Sequence, residues 1–198
     1  MSLERHREDW EHLAETDPLW AVLTERGRRG GGWHVDEFLA TGEREIEAVV
    51  RRAAVLGRPA RHRRALDFGC GAGRLTRALA GRFDHAVGVD ISTAMVAAAR
   101  DLNSDVAACE FVVNDRPDLS LFEADSFDLA YSSLVLQHMP GRPVVEGYVR
   151  ELLRVTAPDG LVVFGVPDSI SWPYRLQVSR RLYAGLRRFG VPERTLLT

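Results

Sequence analysis

Residues 67–74 read Asp67-Phe68-Gly69-Cys70-Gly71-Ala72-Gly73-Arg74, three glycines at alternate positions behind an aspartate. Glycine has no Cβ, so a turn of this composition lets a ligand lie against the backbone and reach unpaired N–H groups. A dinucleotide fingerprint, GxGxxG, would need its third glycine where this chain has Arg74, so the pattern speaks against NAD. Asp90 follows Asp67 by 23 residues, where a carboxylate closing the next strand can accept both hydroxyls of a ribose. The implied ligand carries a free ribose diol and a polar end near the glycines. Asn114, Asp115, Ser132 and Ser133 close two further apolar runs, and open α/β sheets collect ligands at such ends. His138 follows the second of these runs, and its ordinary pKa of ~6.5 suits a general base.

Positioning these residues requires strands that alternate with helices. Ala65–Phe68 reads as a first strand, followed by a helix from about Arg74 that buries Leu75, Ala78 and Leu79 and stops at Gly81. His85–Asp90 is a second strand, and Ser92 caps an alanine-rich helix running through Arg100. Glu110–Asp115 and Phe127–Ser133 are strands three and four. Pro143 then opens a helix whose stripe is Val145, Tyr148, Leu152 and Val155 and which ends before Pro158; Leu161–Val166 is strand five. Strands separated by helices predict βαβ units and a doubly wound, Rossmann-like parallel sheet in the order 3-2-1-4-5. Residues 1–64 are expected to form a helical cap, with one helix near Glu4–Glu15, a glycine-rich loop at 27–34, and a longer helix carrying Ile46, Val49, Val50 and Ala53 and closed by Gly57. Residues 65–198 are the expected core.

Composition narrows the chemistry. The chain has 198 residues, room for one domain with short additions, and is 45% hydrophobic and 27% charged, as a globular protein should be. All 26 of its Lys and Arg residues are arginine, which excludes a Schiff-base lysine, a phosphate loop ending in Gly-Lys-Ser/Thr and any lysine base. Two cysteines are too few for a disulfide framework or a four-thiolate zinc site, so no metal is expected. The net charge of −2 calls for no polyanionic partner. With no apolar run of membrane-spanning length and no apolar leader, the expected location is the cytoplasm.

The string ALDFGCGAGRLTRAL, followed by GVDIS at Gly88–Ser92, resembles the opening motifs of the class I S-adenosylmethionine-dependent methyltransferases, in particular small bacterial ones with a helical N-terminal cap. Asn114–Leu119 is similar to the segment that holds adenine in that family, Ser126–Pro140 to its fourth-strand segment, and Glu151–Pro167 to its next helix and strand. The resemblance implies that the backbone of Gly69, Cys70, Gly71 and Gly73 lies under the methionine part of S-adenosylmethionine, with Asp67 ordering the loop. It implies further that Asp90 binds the ribose, Ile91 flanks the adenine, Asp115 meets the adenine amino group beside Asn114 and Arg116, and Ser132 and Ser133 contribute mainly backbone. His138 is then the candidate catalytic base, and Trp33, Phe38, Thr41 and Gly42 belong to a cap that either walls the substrate or packs the core. The implied reaction is methyl transfer to an oxygen, nitrogen or carbon of a small molecule; the alternative is a protein of the same fold that binds the cofactor without transferring methyl. The Asp/Asn-Pro-Pro-aromatic signature of nucleic-acid amino-methylating enzymes is missing after strand four, and neither cysteine stands in a Pro-Cys setting. Nucleic acid is therefore not the expected acceptor.

Only 32 residues follow Val166. They include a basic helical stretch within Trp172–Phe189, read as a solvated face, and show no strand pattern. The last two strands of the family fold are thus expected to be absent, which leaves the apolar strand-five edge to be covered by the C-terminal helix, a second copy of the chain or another partner.

Overall fold

The computed structural model describes residues 3–166. Three helices come first: α1 at Leu3–Thr16, α2 at Pro18–Val22 and α3 at Val35–Val55. Strands and helices then alternate as β1 (Arg64–Phe68), α4 (Arg74–Ala80), β2 (His85–Asp90), α5 (Thr93–Leu102), β3 (Cys109–Val113) and β4 (Phe127–Ser132). A 3₁₀ turn at Leu136–His138, helix α6 (Arg142–Val155) and β5 (Thr156–Phe164) complete the order. The sheet runs β3-β2-β1-β4-β5 with all pairs parallel, as the alternation predicts. Among the described residues no helix is long and apolar enough to cross a membrane. The basic stretch at Trp172–Phe189, and the question of further strands after β5, lie outside the described residues.

The strands are apolar on both faces because both are covered. Leu66, Phe68, Val87, Val89 and Ala130 point to the side where Tyr148, Leu152 and Val155 of α6 pack. The alternate residues Ala65, Ala86, Leu129 and Tyr131 face Leu75, Ala78 and Leu79 of α4 and Ile46 of α3. Helices α3 and α4 pack closely: a Cβ on Gly42 would stand 2.3 Å from the carbonyl oxygen of Arg74. Gly42 therefore serves packing. Phe38 is fully buried and Trp33 nearly so, in a cluster with Ala72 that the loop before α3 completes, so these aromatics are core residues.

Beyond one-residue shifts at the ends of β1, β3 and β4, three features differ from the sequence reading. Helix α2 is unanticipated; Asp17 caps it by accepting from the Trp20 N–H, and Pro18 opens it, the combination that starts helices. Strand β3 ends at Val113, not Asp115: Asn114 N–H makes a last bond to the carbonyl oxygen of Asp90, and the Asn114 side chain then turns the chain by accepting from Arg116 N–H and donating to the Asp118 carbonyl oxygen. Strand β5 begins at Thr156, not Leu161, and stops at Phe164: Thr156 pairs with Phe127 and Leu161 with Leu129, so the extra residues, Pro158 among them, bulge out of the ladder.

Candidate active site

The glycine loop sits at the carboxyl ends of β1, β2 and β4. Gly69, Gly71 and Gly73 have φ of 76°, 51° and 82°, the left-handed region that disfavours side chains. The Gly69 and Cys70 N–H groups both donate to the Val89 carbonyl oxygen, at 2.8 and 2.9 Å, tying the loop to β2. Val22 of α2 and Val135 beyond β4 close directly on it: a Cβ on Gly71 would meet the first at 2.4 Å and one on Gly69 the second at 2.3 Å. Leu134, which turns Val135 inward, has φ of 62°, a strained conformation for a branched side chain, of the kind that gathers at functional sites.

Asp90 closes β2 at the edge of this loop. Its Oδ2 accepts from Gly71 N–H at 2.9 Å and its Oδ1 from Ser92 N–H at 3.0 Å. Burial pushes its pKa up against these two bonds and a third from the Ile91 backbone. Asp67 lies behind the loop, buried, with Oδ2 accepting from Thr76 Oγ1 at 2.7 Å and Oδ1 without a partner. Burial pushes its carboxyl up to about 7, opposed by the Thr76 bond and by Arg74. The Cys70 thiol is also pushed well up, by burial and by Asp90 and Asp67, so it stays protonated and is no nucleophile. Arg74 is buried; its Nη1 donates to Glu45 Oε2 at 2.8 Å, while its Nε has no partner. Tyr131 Oη donates to the other oxygen of Glu45 at 2.7 Å. Burial alone would raise the Glu45 pKa, but Arg74 and the bonds from Ser133 and Tyr131 hold it below the usual range.

These groups surround one cavity of about 840 Å³, part of it open to solvent. Gly69, Cys70, Gly71, Asp90, Ile91, Asn114, Ser133 and His138 line it, which brings together most of the residues singled out from sequence. Asp67, Gly73 and Ser132 stand behind the lining, Ser132 donating through Oγ to the Phe68 carbonyl oxygen at 3.1 Å. Asp115 is exposed and outside the lining, while its neighbour Asn114 is buried and donates through Nδ2 to the Asp118 carbonyl oxygen. His34 is exposed at the N-terminus of α3, away from the cavity lining.

Helix α1 supplies a wall that the sequence reading did not reach. Glu11 accepts from Ser92 Oγ at 2.6 Å and from Ala94 N–H at 3.2 Å, which docks α1 on the start of α5. His6 and Trp10 thereby line the cavity. Their four-residue spacing puts them on one helix face, the one signal in the sequence that pairs them. Trp10 Nε1 donates to His6 Nε2 at 3.2 Å, and the Trp10 ring meets His138 edge-on with centroids 5.5 Å apart. His138 stands at the mouth, partly in water. The Gln137 side-chain nitrogen, which can only donate, lies 3.1 Å from His138 Nε2, a contact that suits the tautomer with its proton on Nδ1 and its lone pair on Nε2. Burial holds the His6 pKa below its usual 6.5, and His138 adds to that; His138 is lowered by burial as well. Both shifts favour the uncharged imidazole.

Comparison with known proteins places this geometry. Residues 66–164 match the family model described as a methyltransferase domain. The chain is 36% identical over 137 residues to a malonyl-[acyl-carrier protein] O-methyltransferase from Halorhodospira halophila, covering 64% of this chain and 45% of that protein. It is 32% identical over 179 residues to the chloroplastic tocopherol O-methyltransferase of Arabidopsis thaliana, covering 83% of this chain and 49% of that one. The YcgJ protein from Bacillus subtilis superposes with a TM-score of 0.51 at 26% identity, over 62% of this chain and 53% of its own. The chain thus spans about half the length of the curated relatives it matches. Because the matched segment takes in the glycine loop, Asp90, the β4 end and the whole five-stranded sheet, the chain belongs to the methyltransferase domain family, the class I S-adenosylmethionine-dependent methyltransferases.

Proposed function

We propose that the protein binds S-adenosylmethionine in this cavity and directs its methyl group to a small-molecule acceptor by in-line displacement, oxygen being the preferred nucleophile ahead of nitrogen and carbon. The observation that carries this reading is one cavity lined both by a glycine floor edged with Asp90 and by an uncharged imidazole, His138. The cofactor fits the residues present. Gly69 and Gly71 line the cavity, and the absence of a Cβ at each lets Val135 and Val22 close the loop beside it. The Asp90 carboxylate has about four lone-pair sites; Gly71, Ser92 and the Ile91 backbone draw on it, and the remaining capacity faces the cavity for a ribose hydroxyl.

In this reading Gly69, Cys70, Gly71 and Gly73 bed the methionine portion, Asp67 orders the loop through Thr76, and the unpartnered Nε of Arg74 serves the methionine carboxylate. Ile91 flanks the adenine, Asn114 and the exposed Asp115 border it, and Ser132 fixes the β4 end. Residues 1–64 cap the cofactor and residues 65–198 form the transferase core. The bound cofactor supplies an activated methyl group on a sulfonium that leaves uncharged. Holding an acceptor in line with it contributes roughly 7–11 kcal/mol. His138, with its lone pair on Nε2, takes the proton of a hydroxyl acceptor, an effect on the order of 10²–10⁴-fold. The O-methyltransferase names of both curated relatives support oxygen as the first choice.

Thermal-shift titration with S-adenosylhomocysteine and with NADH tests the cofactor, and incubation with methyl-labelled S-adenosylmethionine and a small-molecule cell extract tests transfer. Stabilisation by S-adenosylhomocysteine alone and label in the extract are expected. Stabilisation without transfer would leave a cofactor-binding protein of the same fold, and no stabilisation would sink both readings.

A further inference from the structure

The walls of the cavity beyond the glycine floor carry little charge. Trp10, Phe68, Met95, Val135 and Met139 are apolar or aromatic, and the imidazoles among them, His6 and His138, are uncharged. Among the described lining residues the permanent cation is Arg74, and Glu45 already holds it in a buried pair. The carboxylate in the lining, Asp90, adds negative charge. A carboxylate or phosphate acceptor would have to give up its hydration beside Asp90, with the one lining cation already divided between Glu45 at Nη1 and, in the proposed complex, the cofactor carboxylate at Nε. Such acceptors are normally met by arginine forks, and the one fork here is turned to Glu45 and to the cofactor end of the cavity.

From this we infer that the methyl acceptor is an uncharged hydroxyaromatic molecule, its ring seated against Trp10 and its hydroxyl directed to His138 Nε2. Trp10 suits the part because its plane is held: its indole N–H is tied to His6 Nε2 at 3.2 Å, and its ring meets His138 edge-on at an interplanar angle of 76°. A fixed indole presents a broad apolar face at small entropic cost, and aromatic rings favour offset or edge contacts with it. His6 is a positioning residue in this arrangement, acting on the acceptor through Trp10. Its Nε2 must stay unprotonated to accept the indole N–H, and burial keeps it so. A phenolic hydroxyl also matches the base. It is too weakly acidic to ionise alone at neutral pH, and His138 offers a lone pair that now meets only the exposed Gln137 amide. In the transfer step the phenol oxygen bonds to the methyl carbon as the carbon–sulfur bond breaks, the electron pair stays on sulfur, and the phenolic proton passes to His138 Nε2.

This inference rests on the transferase reading, and its test separates the two. The full chain, saturated with S-adenosylhomocysteine, is titrated by calorimetry with methylhydroquinone, with trans-aconitate and with N-methylethanolamine. Methylhydroquinone should bind at least tenfold more tightly than either of the others. Trp10→Ala should weaken that binding at least tenfold while leaving affinity for S-adenosylhomocysteine within about twofold. His6→Ala should raise KM for methylhydroquinone more than it lowers kcat, and His6→Gln, whose side-chain oxygen can accept the indole N–H, should restore KM. Tighter or equal binding of the carboxylate or the amine overturns the inference, as does failure of all three to bind, or a Trp10→Ala protein that melts like wild type and binds methylhydroquinone unchanged. Methyl transfer to trans-aconitate but not to methylhydroquinone would refute the hydroxyaromatic acceptor and keep the transferase. Loss of S-adenosylhomocysteine binding in the unmodified chain would refute the transferase reading itself.

Discussion

Replacing Asp90 by alanine tests the double use of one carboxylate. Its two oxygens accept backbone N–H groups from Gly71 and Ser92, at 2.9 and 3.0 Å, so the substitution strands two donors. Each stranded donor costs about 1–3 kcal/mol. Part of this returns because a carboxylate whose pKa burial has raised is no longer held charged, leaving a net loss of about 2–4 kcal/mol. That is survivable for a domain with ~5–15 kcal/mol of stability, and corresponds to a fall in Tm of about 5–15 °C. The sequence alone suggests that the fold would be untouched; the two loop bonds show why it would not be. Ligand affinity should fall separately. Losing the charge-assisted bonds to a ribose costs about 1.5–3 kcal/mol, roughly 10- to 150-fold in Kd. Asp90→Asn keeps one acceptor and should fall between. Calorimetry with S-adenosylhomocysteine, run well below the melting point of each variant, reads affinity, and thermal unfolding reads the loop. A Tm within 1 °C of wild type, or affinity within threefold, would refute the double role.

For His138, methyl transfer should be flat above pH 7 and decline on acidification with an apparent pKa below 6.5, because burial lowers the group and only its unprotonated form accepts a proton; an apparent pKa above 7 in the limb that His138→Ala abolishes would refute it. Asp67→Asn should become progressively more stable than wild type as pH rises from 4 to 8. The buried carboxyl titrates at about 7 instead of 3.8, so ionising it costs the folded state on the order of 4 kcal/mol, a term absent below pH 3.8 and complete above pH 7; urea unfolding at the two pH extremes measures the gap, and its absence refutes the burial argument. Gly42→Ala should destabilise by about 2 kcal/mol or more, since its methyl would force α3 from the Arg74 backbone and disturb the Glu45–Arg74 pair, and a neutral effect would contradict the close packing of these helices.

What the chain discloses by itself follows the range over which each signal acts. The sheet order was legible because each strand is a short apolar run, each crossover carries a helix with its own stripe, and the glycines mark where the first strand must stop. The floor of the site was legible for the same reason: Gly69, Gly71 and Asp90 are placed by the two adjacent strands that bear them. Strand ends were less so. Asn114 and Asp115 differ little in sequence terms, and it is the Asn114 side chain, accepting from Arg116 N–H and donating to the Asp118 carbonyl oxygen, that fixes the turn in which Asn114 lines the cavity and Asp115 faces water. The wall from α1 was not legible. Trp10 and His6 precede Asp90 by some eighty residues and reach the cavity because Glu11 finds Ser92 and Ala94 across the fold, a contact that no spacing encodes. Trp33 and Phe38, the aromatics nearer the glycine loop in sequence, were claimed instead by the core around Ala72. Local pattern therefore locates the glycine floor and Asp90, while the opposite wall of the cavity depends on a helix whose placement is tertiary. Two chains with the same glycine loop and the same aspartates can then carry different walls, and under the proposed acceptor it is the wall of His6, Trp10 and His138 that would set this chain apart from one receiving an anion.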